Sequence, residues 1–294
     1  MSLREALDAI RLLDAAGRGE GCRVAIIDTG AAEDAPLKDY VNLTNKSLID
    51  TESHGEHIHR IIHRILPEAE LFLVKVPNPV PDHIFITAIH EAMKWRPHAV
   101  NISMGSEMTS DGGDPVSIYA DRLAVVSVVA CAAGNGGPRP LSIGAPACGR
   151  EVLAVGAVNM RMRPWSSSSR GPTLDGRFKP DIVAPTGYQL ERGGARLIGT
   201  SFSTPLATAA AALLYSALPR PRLVRRLVQL TAQPIPVSLL NLAFIRGSQA
   251  ASRTTVQKIL KALSVSTDPR NIVGMGLLNV ADALREAVQL ASGS

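Results

Sequence analysis

Residues 23–30 read Arg-Val-Ala-Ile-Ile-Asp-Thr-Gly. A short apolar run without alternation marks a strand buried on both faces. This one stops at a carboxylate, Asp28. Further along, Ile58, Ile61, Ile62 and Ile65 fall at helical spacing within 54–66, and Glu70–Val76 reads as a second strand. Phe85, Ala88, Ile89, Ala92 and Met93 predict a helix over His83–Trp95. His98–Met104, Val125–Ala133 and Val152–Val158 read as strands. Strands alternating with helices predict an α/β fold, a three-layer, doubly wound, mostly parallel sheet flanked by helices. Ligands of such sheets bind beyond the carboxyl ends of the strands, where Asp28 stands.

The Ser-, Gly- and Pro-rich segment from Trp165 to Gly199 reads as loops with short strands, followed by an Ala-rich helix over Phe202–Leu218. Beyond Pro219, Arg220, Arg222, Arg225 and Arg226 crowd together. Thr254–Leu263 reads as an amphipathic helix, and Gly274–Val288 as a glycine turn, a short strand and a helix. With no repeat or low-complexity linker, the expectation is one compact domain and not two.

Composition narrows the function classes. Of 294 residues, 46% are hydrophobic and 19% charged, a globular balance that excludes a disordered or collagen-like chain. Mean hydropathy is +0.11, yet Ala124–Gly134 and Leu206–Leu218 are too short for the roughly 20 residues a membrane span needs. The net charge of +5 permits contact with nucleic acid or membrane without indicating either, and neither is expected as a partner. Cys22, Cys131 and Cys148 fit neither a disulfide framework nor a zinc motif and are read as reduced thiols. The first 21 residues lack the pattern of a signal peptide, so cytoplasmic residence is expected.

Three motifs sit at element boundaries: Asp28 in Ile-Ile-Asp-Thr-Gly, His54 in Ser-His-Gly-Glu-His, and Ser201 in Gly-Thr-Ser-Phe-Ser-Thr-Pro. A serine hydroxyl is a weak nucleophile until an imidazole takes its proton. A buried carboxylate fixes the tautomer of that imidazole. Gly199 permits a tight turn before Ser201, and Pro205 is read as first-turn, where a missing N–H costs little. The helix N-terminus then favours an anion beside Ser201.

Together the motifs resemble those of subtilisin-like serine proteases (subtilases), whose Asp, His, Ser order is a known example of this constellation. Similarity runs from about Gly21 to Ala287, and it implies a peptidase domain over residues 21–290, with 1–20 as an N-terminal extension and about 219–252 as an insertion relative to a minimal subtilase. It includes NISMG (101–105), AAGNGG (132–137), SSRGP (168–172), KPDIVAP (179–185) and GMGLLNVADAL (274–284). The resemblance implies a subtilisin-like fold with Asp28, His54 and Ser201 as catalytic triad and Asn135 as oxyanion donor. It also implies that Ser103, Met104 and Gly105 pair with the backbone of a peptide or protein substrate. The expected reaction is peptide-bond hydrolysis through an acyl-enzyme, by a serine endopeptidase. Two alternatives share the fold: an acyl transferase or peptide macrocyclase, and a non-catalytic peptide-binding module. A dinucleotide-binding enzyme is disfavoured, because no GxGxxG follows the first strand.

Several side features carry expectations of their own. Glu56 reads as a first-turn acid complementing the helix dipole, and Asp50 and Glu52 as a solvated loop. His59 and His63 have the i, i+4 spacing zinc can use, but an exposed polar face is the expected reading. The family frequently holds structural calcium, but no dense Asp/Asn cluster marks a site, so no metal or cofactor is assigned. Cys148 is a candidate for approaching the substrate pocket. The arginine stretch reads as a solvated helix face, with an acidic docking partner as the alternative. No prodomain fits in the 27 residues before Asp28, and Leu3–Ala15 reads as a remnant of one or a packing helix.

Overall fold

The computed structural model describes residues 2–13, 17–106, 109–236 and 268–293. Seven strands form one parallel sheet: β1 (Arg23–Asp28), β2 (Asp39–Asn42), β3 (Glu70–Lys75), β4 (Ala99–Ile102), β5 (Val128–Ala132), β6 (Leu153–Val158) and β7 (Ile182–Pro185). Their order is β2-β3-β1-β4-β5-β6-β7. From β1 the chain crosses to the edge strand β2 and returns to β3 beside β1, then builds outward on the other side through β4 to β7. The reversal beside β1 opens a crevice at the strands' carboxyl ends.

Alternation along each strand sorts the core into two layers. Val24 and Ile26 of β1, with Leu71 and Leu73 of β3, join one cluster. Ala25, Ile27, Phe72 and Val74 join the other. The first cluster packs against α1 (Leu3–Ala9), α2 (His54–Ile65), α5 (Thr200–Ala217), α6 (Pro221–Leu230) and α8 (Val280–Ser292); α7 (Arg270–Val273) borders it. The second packs against α3 (Asp82–Trp95) and α4 (Pro115–Leu123). Helix α5 is apolar nearly all round and buried along most of its length, as a helix at the centre of a core must be.

Several boundaries differ from the sequence expectations. Val125 and Val126 do not extend β5. They are exposed in the turn that ends α4, a helix capped by the Asp114 carboxylate with Pro115 at its first position. Leu277 makes isolated bridges to Val183 and Gln233 instead of a strand. Pro205 lies beyond the first turn, because α5 starts at Thr200 and Pro205 is its sixth residue. The expected helix over Thr254–Leu263, and the 237–252 part of the expected insertion, lie outside the described residues.

The N-terminal segment is a packing helix. Leu3, Ala6, Leu7, Ile10 and Leu12 are buried, and the Ile10 carbonyl accepts the Val280 N–H. Helix α6 buries Val224, Leu227 and Val228. Two of its arginines, Arg222 and Arg225, pair with Glu151, so that part of the basic stretch is committed within the fold. No helix among the described residues is long and apolar enough to cross a membrane.

Candidate active site

Asp28 ends β1 fully buried. Its Oδ1 accepts the Thr29 N–H at 2.8 Å and lies 2.8 Å from His54 Nδ1. That contact requires α2 to approach β1 closely. A Cβ on Gly55 would fall 2.4 Å from the Gly30 carbonyl oxygen and 3.0 Å from Asp28 Oδ1. Glycine is therefore required where the helix meets the strand end.

The first N–H groups of α2 have no partner within the helix. Ser53, at the N-cap, has a left-handed backbone and makes no side-chain cap bond. Two distant residues substitute for it. Thr29 Oγ1 accepts the Gly55 N–H at 3.1 Å, and Asp50 Oδ2 accepts the Glu56 N–H at 3.0 Å. Asp50 is thus buried and structural, contrary to the solvated loop expected from sequence. Glu52 remains exposed, accepting from Asn78 Nδ2. Glu56 pairs with Arg60 along the helix.

His54 lines the cleft half-buried. Burial opposes its protonation, but the hydrogen bond and charge of Asp28, with the charges of Asp50 and Glu52, more than compensate. Its pKa is raised above the usual histidine value. The Phe202 ring packs on it, tilted, with centroids 5.6 Å apart. Neither Asp50, Thr29 nor Phe202 was singled out by sequence reasoning as a support for His54.

Ser201 is the second residue of α5, and its Oγ donates to the Ser103 carbonyl at 3.0 Å. Asn135 lies after β5. Its Oδ1 accepts the Thr200 N–H at 3.0 Å, which leaves Nδ2 as its donor toward the cleft. Gly199, at φ +124°, makes the turn, and a Cβ there would come within 3.3 Å of the Asn135 amide. The SSRGP stretch braces this loop: Ser169 donates its N–H to the Gly134 carbonyl, and its Oγ accepts the Gly136 N–H.

One cleft of about 390 Å³ is lined by His54, Ser103, Met104, Gly105, Asn135 and Ser201. The structure therefore brings together six of the seven residues singled out from sequence. The seventh, Asp28, stands behind His54. The remaining walls are small and uncharged, including Ala132, Gly134, Ser142 and Ser169.

Other sequence candidates lie elsewhere. Cys148 is fully buried, donating to the Ile143 carbonyl, and does not line the cleft. His59 is buried too, contrary to the exposed face expected, and it stacks on His63. Among those residues no group of three or more His, Cys, Asp or Glu is arranged to hold a metal.

A sequence profile described as the Subtilase family matches residues 19–276. The membrane-bound transcription factor site-1 protease of Homo sapiens is 30% identical over 233 residues, 70% of this chain. The match spans 22% of that protein's length. The intracellular serine protease of Paenibacillus polymyxa is 31% identical over 229 residues, covering 67% of each chain. Among solved structures, the prenylagaramide maturation protease PagA aligns with a TM-score of 0.69 at 24% identity, over 96% of this chain and 98% of its own. MycP1 with its N-terminal propeptide removed aligns with a TM-score of 0.69 at 21% identity, over 95% and 96%. These two likenesses establish the shared fold.

Proposed function

The chain belongs to the subtilase family, and from that premise we propose that it is a serine endopeptidase. Ser201 attacks the scissile carbonyl after its hydroxyl turns from the Ser103 carbonyl to the imidazole. His54 takes the proton as general base and returns it to the leaving amine as general acid. Asp28 holds His54 in the tautomer that carries a proton on Nδ1 and stabilises the imidazolium. The Asn135 Nδ2 group and the Ser201 N–H receive the oxyanion. No step requires a metal or cofactor. The observation that carries this reading is the Asp28–His54 contact, 2.8 Å and buried behind the cleft that Ser201 and Asn135 also line.

The substrate we propose is an extended peptide segment of a peptide or protein. It would pair with the backbone of Ser103, Met104 and Gly105 as an added strand. Around Ser142 and Ser169 the cleft offers hydroxyls and no counter-charge. Burying a charged side chain there without a partner is unfavourable, so an uncharged residue is favoured before the cleaved bond. A cytoplasmic site of action is also proposed. It is supported by three unpaired cysteines and by the name of the Paenibacillus relative, an intracellular protease.

Cleavage-site profiling on a peptide library, with Ser201→Ala as control, tests the proposal. Hydrolysis after uncharged residues, abolished in the variant, is the expected result. Turnover undiminished in Ser201→Ala refutes the mechanism, and products lacking the added water would assign acyl transfer instead.

A further inference from the structure

Next to Ser201, α5 lacks one of its own hydrogen bonds. Pro205 has no N–H, so the Ser201 carbonyl, four residues earlier, loses its i→i−4 donor. Ser103 Oγ donates to that carbonyl instead, at 2.8 Å. A buried chain of side chains stands behind it. Asn101 Nδ2 donates to Ser103 Oγ at 2.9 Å, and Thr208 Oγ1 lies 3.0 Å from Asn101 Oδ1. Asn101 and Thr208 are fully buried, and Ser103 is nearly so.

The direction of donation follows from the proline. Thr208 Oγ1 is also 3.1 Å from the Thr204 carbonyl, so its single hydrogen has two acceptors within reach. If it went to Thr204, Asn101 would have to flip and accept from Ser103, leaving the Ser201 carbonyl without this donor. Running the chain from Thr208 through Asn101 and Ser103 to Ser201 satisfies every member, as a buried network requires.

We propose that Ser103 is a positioning residue for the nucleophile: backed by Asn101 and Thr208, its hydroxyl supplies the hydrogen bond that Pro205 withholds and so fixes the Ser201 backbone at the start of α5. The proposal rests on the protease reading for its catalytic consequence. The oriented groups are the Ser201 N–H and Cα–Cβ bond, which must serve the oxyanion and the attack together. The tie joins the segment just after β4, where the substrate strand is proposed to pair, directly to the residue proposed to attack it.

The test is a cycle of Ser103→Ala, Pro205→Ala and the double variant. Ser103→Ala removes the donor, whereas Pro205→Ala restores a helix N–H to the same carbonyl. Loss of one such hydrogen bond predicts a fall in kcat of about fivefold or more in Ser103→Ala. KM should stay within about twofold, since the group acts on the transition state and not on uniform binding. The double variant should recover most of the lost kcat. An unchanged kcat, a loss confined to KM, or a double variant no better than Ser103→Ala overturns the proposal. Should Ser103→Ala fail to fold, the shape-conserving Thr208→Val is predicted to lower kcat with little change in KM, and an unchanged kcat there counts against it.

Thermal midpoints of the same four proteins give a readout independent of turnover. Pro205→Ala should raise the midpoint more in the Ser103→Ala background than in the parent; equal increments contradict the placement of Ser103. A parent protein that folds but neither cleaves peptides nor reacts with a fluorophosphonate refutes the protease reading, and the midpoint cycle still decides whether Ser103 ties the Ser201 carbonyl.

Discussion

The Asn135 side-chain carbonyl accepts the Thr200 N–H at 3.0 Å, so the residue just before Ser201 sets which way the asparagine amide faces. A backbone N–H can be satisfied only by the oxygen end, and the amide nitrogen is therefore left as a donor toward the cleft. If that nitrogen stabilises the oxyanion, Asn135→Ala lowers kcat by ~10²–10³, the magnitude known for the corresponding donor in subtilisin, with little change in KM. Steady-state kinetics on one peptide substrate check this. A loss carried by KM would place Asn135 in substrate binding instead.

The raised pKa of His54 fixes the sign of the pH dependence. If His54 is the general base it must be neutral to act, so kcat/KM should rise with pH through a midpoint above the ordinary histidine value. Glu52 is exposed, and its charge favours the imidazolium. Glu52→Gln should therefore move the acid limb to lower pH, and added salt should shrink the difference. An acid limb moving to higher pH would contradict the electrostatics given for His54.

Gly55 carries a steric prediction. The Cβ of Gly55→Ala would sit 2.4 Å from the Gly30 carbonyl oxygen, so α2 has to shift away from β1. Overpacking of this kind costs about 1–3 kcal/mol. Because the same helix carries His54, activity should fall further than stability does, which paired kcat/KM and urea-unfolding measurements would detect. Retention of both would mean that the helix does not approach Asp28 this closely.

His59 gives the fold an acid sensitivity separate from catalysis. Burial is the main cause of its pKa falling to about 4. The unfolded chain takes up a proton near pH 6.5 that the folded chain refuses until about pH 4. Stability from this group is fully present above pH 6.5 and is lost as pH falls toward 4, by up to ~3 kcal/mol. His59→Leu should flatten the thermal midpoint over that range, and a midpoint that still falls as steeply would assign the sensitivity to other groups.

The elements legible in the sequence were those with a local signal. β1, β3, α2 and α3 follow from uninterrupted apolar runs or helical spacing, and Asp28, His54 and Ser201 each stand in a compact motif. β2 is a short edge strand, exposed at Asp39 and Tyr40, with no apolar pattern to betray it. α4, which the sequence expectations omit, carries only its Asp114-Pro115 cap as a local signal, and the apolar run Val125–Ala133 beyond it hides where the next strand begins. The supports of the site were illegible for another reason. Asp50 caps α2 in place of Ser53, and Asn101 meets Thr208 across 107 positions of sequence. Such contacts are set by how the sheet brings distant strand ends and helix starts together.

The central claim is that Ser201 is an activated nucleophile. Its most direct test is reaction of the folded protein with a fluorophosphonate, followed by mapping of the adduct by mass spectrometry. The adduct should fall on Ser201 and disappear in His54→Ala, whose thermal unfolding should show that it still folds. No adduct on the folded parent protein, or one on another residue, would contradict the account.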